Sequence, residues 1–399
     1  MPIKKKIFLI TALLYVIYTI FPLFADTFHV PVWLPSLAVM VVMIILYPEA
    51  FANKAFYWFL VYAIVLGLYV FFHRPLTIGI GTIRDNKKIL IEFSYILPTI
   101  SIFSILSYLK DIDLTKKLVN WSIAILFVSF IIVVPLMIQY NSLREAMNEQ
   151  GENIFIPGLP SYSLMHAYAL ILPTFCYSFK VNKGIKKWLV LAGIMVLCFV
   201  IYDTFVTTSL IIMVTILFVS VLYDSKRIDL FWMILFFVAI IAFILYKMGF
   251  FISLIDMIMP WFEDTPVSYK LIDFKASMLE GTWTGGSIVG RQDLHAISWN
   301  SFFQNPFFGT SIVGGHSSLT DRLGGMGLVA GLPYIMIIVS FVQITIKYYQ
   351  TKMARLFYWM GVIAGIVYLY QKGLWGGESW LIYIVLMPMG ILTIENKVK

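Results

Sequence analysis

Charge is scarce in this sequence. Of its 399 residues only 13% are charged, about half of the roughly 25% that is usual in soluble domains. By contrast, 60% are hydrophobic and 17% are aromatic. A water-soluble fold would have nowhere to bury so many apolar side chains, whereas a lipid bilayer accepts them on the outside of the protein. The composition therefore excludes an ordinary soluble protein and favours a membrane protein.

Cysteine is also rare, and the basic surplus is dispersed. The two cysteines, Cys176 and Cys198, lie inside apolar segments, which is typical of small core side chains. The net charge of +8 comes from lysines and arginines in short clusters between apolar segments, and these clusters form no basic face. The sequence therefore predicts no nucleic-acid partner.

Long apolar segments recur along the whole chain. A membrane-spanning helix needs about 20 mostly apolar residues. About twelve segments meet this criterion, which predicts an all-α polytopic membrane protein with a single transmembrane domain over residues 1–399. The predicted spans are 7–24, 31–47, 55–72, 89–109, 118–140, 161–179, 187–203, 205–223, 229–247, 326–346, 356–371 and 378–394. The first is too long for a signal sequence and is counted as a span.

The positions of lysine and arginine orient these spans. Short cytoplasmic loops carry an excess of both residues. With a cytoplasmic N-terminus, one side of the membrane receives the basic clusters at 4–6, 54, 110–117, 180–187, 226–227, 347–355 and 397–399. This topology puts both termini in the cytoplasm. It puts all five histidines, and the long loop 248–325 between spans nine and ten, at the external face.

The loop 248–325 holds the residues best suited to chemistry. It begins with an apolar stretch, 250–262, that is typical of an interfacial segment, and residues 291–304 have the spacing of a short amphipathic helix. Among its glycines are Arg291, whose side chain suits a pyrophosphate, and His316, which can take a proton from a hydroxyl near neutral pH. Structural roles would also fit, with Arg291 reaching lipid headgroups and His316 holding the loop.

The order and spacing of the motifs in this loop resemble those of the O-antigen polymerase and O-antigen ligase superfamily. The matching residues are Gly290-Arg291-x-x-Leu294, then Asn305-Pro306-x-x-Gly309, then His316-Ser317 followed after nine residues by Gly327. The resemblance implies that Arg291 and His316 are catalytic, and that Gly290, Asn305, Pro306, Gly309 and Gly327 shape the loop. Two positions depart from the family pattern, since His295 stands where tryptophan is usual and Ala330 where glycine is frequent.

What the resemblance implies is a membrane glycosyltransferase of the GT-C type, with short helices in its large external loop. The donor would be a glycan linked to undecaprenyl pyrophosphate, used without a nucleotide sugar, a cofactor or a metal ion. The family is expected to work in the bacterial cytoplasmic membrane beside a flippase and a chain-length regulator, with the active site on the external face.

Polar residues near the external ends of other spans are candidate contacts for the substrate and its pyrophosphate. They are Arg74, Arg84, Lys88, Glu92, His166 and Asp203. Acidic residues in a membrane segment are costly and often functional, although Glu92 and Asp203 would also fit pairing with an external arginine. The cationic candidates would also fit a solvated charge run beside lipid phosphates, and His166 would fit a hydrogen-bonded packing role. The family often has Ser-Arg in the hairpin after span seven, and this chain has no arginine in 203–209.

Three functions remain open at this point. The first is a polymerase that joins lipid-linked repeat units into O-antigen, capsular or exopolysaccharide, and the missing hairpin arginine favours it. The second is a ligase that transfers the finished glycan to lipid A-core. The third is a polysaccharide transporter or flippase, a class that usually has internal repeats and helices broken near the membrane midplane, and the sequence predicts neither.

Overall fold

A computed structural model of the protein is almost entirely helical. The structure describes residues 1–21, 33–72, 76–78, 82–84, 86–139, 161–204, 206–223, 240, 244–245, 248–263, 266–280, 286–371, 373 and 376–398. Helices are the expected form of long apolar segments, because a helix satisfies its own backbone N–H and C=O groups where water is absent.

Eleven of the twelve predicted spans contain a helix in the described part of the chain. The first eight helices are α1 (Ile3–Ile20), α2 (Trp33–Leu46), α3 (Lys54–Phe71), α4 (Asn86–Leu109), α5 (Ile112–Gln139), α6 (Tyr162–Val181), α7 (Ile185–Asp203) and α8 (Thr207–Leu222). In the predicted external loop lie α9 (Phe250–Ile258), α10 (Pro266–Glu280) and α11 (Gly286–Gln304). The chain continues with α12 (Ser318–Thr345), α13 (Lys352–Gln371), α14 (Gly377–Leu381), a π-helical turn (Ile382–Leu386) and α15 (Met387–Val398). Most of the predicted ninth span, 229–247, lies outside the described residues.

Six of the described helical segments are long and apolar enough to cross a membrane. They are Lys54–Phe71, Ile112–Leu136, Ile185–Asp203, Ser318–Tyr348, Lys352–Gln371 and Gly377–Lys397. Shorter apolar helices accompany them, among them α2 and α8. The predicted separation of spans seven and eight is confirmed, since α7 ends at Asp203 and α8 begins at Thr207. The fold is that of an all-α protein with the helices of a multi-pass membrane protein.

The last helical segment forms the centre of the bundle. Nearly every residue from Gly377 to Ile391 is buried, and α14 and α15 contact α4, α5, α6 and α13. Helices α3 and α7 instead leave most of their apolar side chains on the outer surface of the bundle. This is the distribution that a bilayer requires, with apolar residues outside as well as inside.

The predicted external loop contains more regular structure than its sequence indicates. The predicted interfacial stretch 250–262 forms α9 and a short 3₁₀ helix, Met259–Phe262. The predicted amphipathic helix 291–304 is confirmed, and it begins earlier, at Gly286. Helix α10 was not predicted.

A small sheet, also not predicted from the sequence, joins two loops that the charge bias predicts to be external. Its strands are β1 (Leu76–Ile78), β2 (Thr82–Arg84) and β3 (Ile312–Val313), in the order β2-β1-β3. Strand β1 pairs antiparallel with β2 and parallel with β3, where Thr77 lies opposite Ile312. The sheet fastens the loop that follows α3 to the large loop that precedes α12.

Helix α12 is broken at Gly327, whose backbone has φ 63° and ψ −160°. Sequence analysis did not predict this break. The helix also begins at Ser318, eight residues before the predicted start of this span at residue 326. The segment before the break is buried. Hydropathy assigned it to the loop because it carries the charged residues Asp321 and Arg322. Glycine fits the break because it reaches a positive φ without a steric penalty.

An ion pair joins α1 to the start of α5 at the end of the bundle opposite to the start of α12. Lys5 Nζ lies 2.5 Å from Asp111 Oδ2, and Asp111 Oδ1 accepts a hydrogen bond from the backbone N–H of Leu114 at 3.0 Å. The hydrogen bond from Lys5, followed by that from Leu114, lowers the pKa of the Asp111 carboxyl. The same hydrogen bond with Asp111 raises the pKa of Lys5.

This ion pair predicts a pH dependence of stability. A carboxyl with a lowered pKa stabilises the fold above its unfolded pKa of about 3.9, and this contribution is lost as pH falls through the folded value. A lysine with a raised pKa stabilises the fold below about pH 10.4, and this contribution is lost as pH rises further. We expect Asp111→Asn to lower the melting temperature in detergent slightly at pH 7 and to lower it less at pH 3. An equal decrease at both pH values would contradict the assignment.

Candidate functional site

The ends of five helices meet at one end of the bundle, close to the motif residues. Helices α6, α8 and α12 begin there, at Tyr162, Thr207 and Ser318, whereas α7 and α13 end there, at Asp203 and Gln371. The charge bias of the sequence predicts that this end is external. It is opposite to the end at which Lys5 and Asp111 pair.

His316 lies half-buried in a tight loop between β3 and α12. The backbone N–H groups on either side of it, those of Gly315 and Ser317, donate to the two carboxylate oxygens of Asp321 at 3.3 and 3.1 Å. Ser317 caps α12, since its Oγ accepts a hydrogen bond from the backbone N–H of Thr320 at 3.1 Å. The first turn of the helix therefore holds the loop that presents His316.

Helix α11, which carries Arg291, supports the same loop. Ser298 Oγ donates to the same carboxylate at 2.7 Å and accepts a hydrogen bond from the backbone N–H of Gly314 at 2.9 Å. A Cβ atom on Gly314 would overlap the backbone of Leu294, which lies one helical turn after Arg291. The backbone thus brings the segments that carry Arg291 and His316 together, while the side chain of Arg291 lies outside the described part.

The side chain of His166 is buried between two helices. It is 1% exposed, and its ring lies 4.3 Å from that of Tyr368 on α13, measured between centroids. Tyr368 Oη in turn donates to Ser209 Oγ at 2.8 Å. The sequence predicts His166 as a substrate contact, and the structure places its side chain between helices α6 and α13.

The last turn of α13 also contacts the loop around His316. The Leu369 carbonyl accepts a hydrogen bond from Ser317 Oγ at 3.3 Å. The ring of Tyr370 stacks on His295, with 4.8 Å between the centroids, and His295 Nδ1 lies 3.3 Å from Thr320 Oγ1. His295 thus joins α11 to the last turn of α13 and to the first turn of α12.

The Asn305-Pro306 motif forms a turn directly after α11. Asn305 Oδ1 accepts a hydrogen bond from the backbone N–H of Phe308 at 3.3 Å, and the Asn305 carbonyl accepts one from Gly309 at 2.8 Å. Asparagine before proline commonly starts such a turn, and Gly309 supplies the positive φ of 65° that ends it.

This turn forms hydrogen bonds with the backbone on both sides of the break in α12. Breaking a helix frees carbonyls before the break and N–H groups after it, and buried groups of this kind need partners. Four backbone hydrogen bonds between the turn and α12 supply these partners. They run from Thr310 N–H to Gly324 O (3.1 Å), Ser311 N–H to Gly325 O (3.2 Å), Leu328 N–H to Pro306 O (2.7 Å) and Val329 N–H to Phe307 O (3.1 Å). Tyr69 Oη from α3 lies 2.8 Å from the Phe308 carbonyl and 3.1 Å from that of Met326. The motif turn and the broken helix therefore form one hydrogen-bonded unit.

Sequence analysis did not single out Arg322, which is 6% exposed in the first segment of α12. Its Nε donates to Tyr62 Oη at 2.6 Å, its Nη1 donates to the Ser318 carbonyl, and its guanidinium lies 4.3 Å from the centroid of the Tyr334 ring. The arginine thus joins α3 to both segments of the broken helix. Its position six residues after the motif histidine was the only feature of the sequence that could have indicated a role for Arg322.

Glu378 on α14 is a second buried polar residue that received no role from the sequence. It is 9% exposed, and its Oε1 accepts a hydrogen bond from Ser161 Oγ at 2.6 Å. Its neighbour Ser379 bonds to Ser163, with 2.5 Å between the two Oγ atoms. These contacts fasten the start of α14 to the start of α6, next to the helix ends that surround His316.

The other predicted contacts are placed only in part. Arg74 lies outside the described residues. The backbone of Arg84 is in β2 and that of Lys88 and Glu92 in α4, while their side chains lie outside the described part. Asp203 is half-buried at the end of α7. Gly290, predicted to shape the loop, lies within α11.

In the described part of the chain, no group of three or more histidine, cysteine, aspartate or glutamate side chains is arranged to hold a metal ion. No protein-family model matches the sequence, and no curated protein matches it significantly.

Proposed function

We propose that this protein is a membrane glycosyltransferase that polymerises oligosaccharide repeat units carried on undecaprenyl pyrophosphate. The proposal includes about twelve spans in a GT-C-like arrangement, in the bacterial cytoplasmic membrane, with both termini inside. It also includes external catalysis without a cofactor or metal ion. A flippase that delivers the donor and a chain-length regulator are the expected partners.

The packing of the loop motifs into one unit is the observation that carries this proposal. The segment after Arg291, the turn at Asn305, the loop at His316 and the break at Gly327 belong to different structural elements, yet they contact one another. Strand β2, which ends at Arg84, belongs to the sheet that also contains β3, three residues before His316. A cationic segment, a histidine loop and an ordered turn beside a membrane are what a pyrophosphate-linked donor requires.

The proposed reaction is an inverting displacement at the anomeric carbon of the donor glycan. A hydroxyl of the acceptor repeat unit attacks that carbon as the bond to the pyrophosphate oxygen breaks. His316 accepts the proton from the hydroxyl. Arg291 stabilises the charge that develops on the departing undecaprenyl pyrophosphate, with Arg84, Lys88 and Arg74 as further cationic candidates.

The broken helix by itself would also suit a transporter, because such helices often bind ions through their unwound carbonyls. Here the carbonyls of Gly324 and Gly325 accept hydrogen bonds from Thr310 and Ser311. The freed groups at the break are therefore used by the protein's own turn, which favours the glycosyltransferase over an ion-coupled transporter.

A reconstituted assay tests the proposed function. Purified protein in liposomes is supplied with undecaprenyl-pyrophosphate-linked repeat units from the host strain, and products are separated by size. We expect a ladder of carrier-linked glycans that grows with time. Transfer only to added lipid A-core would indicate the ligase, and movement of the substrate across the bilayer without a new glycosidic bond would indicate a transporter.

A further inference from the structure

Asp321 holds both peptide groups that flank His316. Its Oδ1 accepts from the N–H of Gly315 at 3.3 Å, and its Oδ2 accepts from that of Ser317 at 3.1 Å. A carboxylate is a pure acceptor at neutral pH, so it suits two converging N–H groups. Asp321 is 7% exposed, and hydrogen bonds to a charged group are stronger when water is excluded.

Ser298 extends this arrangement from a second helix. It is fully buried, donates its hydroxyl proton to Asp321 Oδ1 at 2.7 Å, and accepts from the N–H of Gly314 at 2.9 Å. The carboxylate and the hydroxyl together satisfy three backbone N–H groups in the four-residue loop 314–317. A helix cap alone would need only the contact to Ser317, so the contacts at Gly314 and Gly315 go beyond capping.

We propose that Asp321, supported by Ser298, is a positioning residue that aims His316 at the acceptor hydroxyl. This inference rests on the proposed function. Asp321 makes its contacts through the backbone on both sides of His316, and it therefore sets the direction of the imidazole without touching the substrate. An error of about 1 Å in the position of a catalytic group can reduce the rate about 10²-fold.

Asp321→Asn removes this support while nearly preserving side-chain volume. An asparagine amide has one acceptor oxygen and one NH₂ group, so it cannot accept from both Gly315 and Ser317. We expect kcat for chain extension to fall about 10²-fold with KM nearly unchanged. Ser298→Ala should reduce kcat less, because it removes one of the three contacts. Asp256→Asn is the matched control, since Asp256 pairs with Lys275 on the exposed part of the external loop.

Amide hydrogen exchange gives a readout that does not depend on activity. In Asp321→Asn, we expect faster exchange in a peptide that covers residues 312–318, with protection of the bundle helices unchanged. Faster exchange here together with the fall in kcat supports the positioning role. A general loss of protection would indicate a structural role and overturn the positioning role. A fall in kcat that is matched by a rise in KM would do the same.

The two proposals fail in different ways. If the wild-type protein extends no glycan, the proposed function fails, and exchange alone decides whether Asp321 orders the loop. Unchanged exchange at 312–318 in Asp321→Asn overturns the positioning role whether or not the protein is a polymerase. If the wild type is active and exchange increases while kcat stays constant, the loop is ordered by Asp321 but His316 needs no positioning, which also overturns it.

Discussion

Chain extension is expected to fall about 10²- to 10⁴-fold when His316 is replaced by alanine, and about 10²- to 10³-fold when Arg291 is replaced. These ranges correspond to the loss of a general base and of a group that stabilises leaving-group charge. The reconstituted ladder assay measures both, at matched protein levels in the membrane. Arg291→Lys should recover only part of the rate, because an ammonium cannot bind a pyrophosphate through a planar fork.

The control for these variants is Arg355→Ala. Arg355 is exposed at the opposite end of the bundle, where its Nε donates to the Tyr349 carbonyl at 3.0 Å. Its replacement removes one positive charge from the protein without changing the proposed site, so extension should continue. Normal ladders from well-expressed Arg291→Ala and His316→Ala proteins would exclude both residues from catalysis.

Gly327→Ala is expected to destabilise the fold by about 2–5 kcal/mol, a sum of a positive-φ backbone conformation that is essentially confined to glycine and of overpacking. The backbone at Gly327 has φ 63°, and an added Cβ would overlap the backbone of Phe307 and lie 2.5 Å from the nitrogen of Phe308. Backbone atoms cannot rotate away as a flexible side chain can. The motif turn would have to leave the break, and the hydrogen bonds of Leu328 and Val329 would be lost with it.

Thermal unfolding in detergent, followed by size-exclusion chromatography, measures this effect. Gly67→Ala is the matched control, because an added Cβ at Gly67 in α3 has no atom within 4 Å. Alanine is favoured over glycine in a helix by about 1 kcal/mol, so Gly67→Ala should be neutral or stabilising. Equal melting temperatures for the Gly327→Ala protein and the wild type would show that the break tolerates a side chain.

Much of the helical framework was predictable because hydropathy is a local property. A segment such as 55–72 must form a helix in a bilayer whatever its neighbours are, and the structure has α3 there. The amphipathic spacing of 291–304 likewise predicted most of α11. The motif residues Asn305 and Gly309 predicted a turn, since both favour turn geometry by themselves.

The contacts of the site depend on residues that are distant in the sequence. Arg322 and its partner Tyr62 are separated by 260 positions, and a charged residue next to glycines resembles an exposed loop until that partner is known. The break at Gly327 is stable only because Pro306 and Phe307 supply acceptors to the N–H groups beyond it. Strands of two or three residues have no periodicity to detect, so the sheet of β1, β2 and β3 was not predictable.

Three features are predictable from the sequence alone: a helical membrane protein, the approximate extent of its helices, and the loop that concentrates glycine, arginine and histidine. These follow from composition and from the cost of leaving backbone groups without partners in lipid. Other features become visible only in the folded chain: residues 318–326 are buried helix, the motif turn completes a broken helix, and Asp321 holds the loop around His316. A buried polar group is stable only where partners from distant segments converge on it, and that convergence is a property of the packed fold.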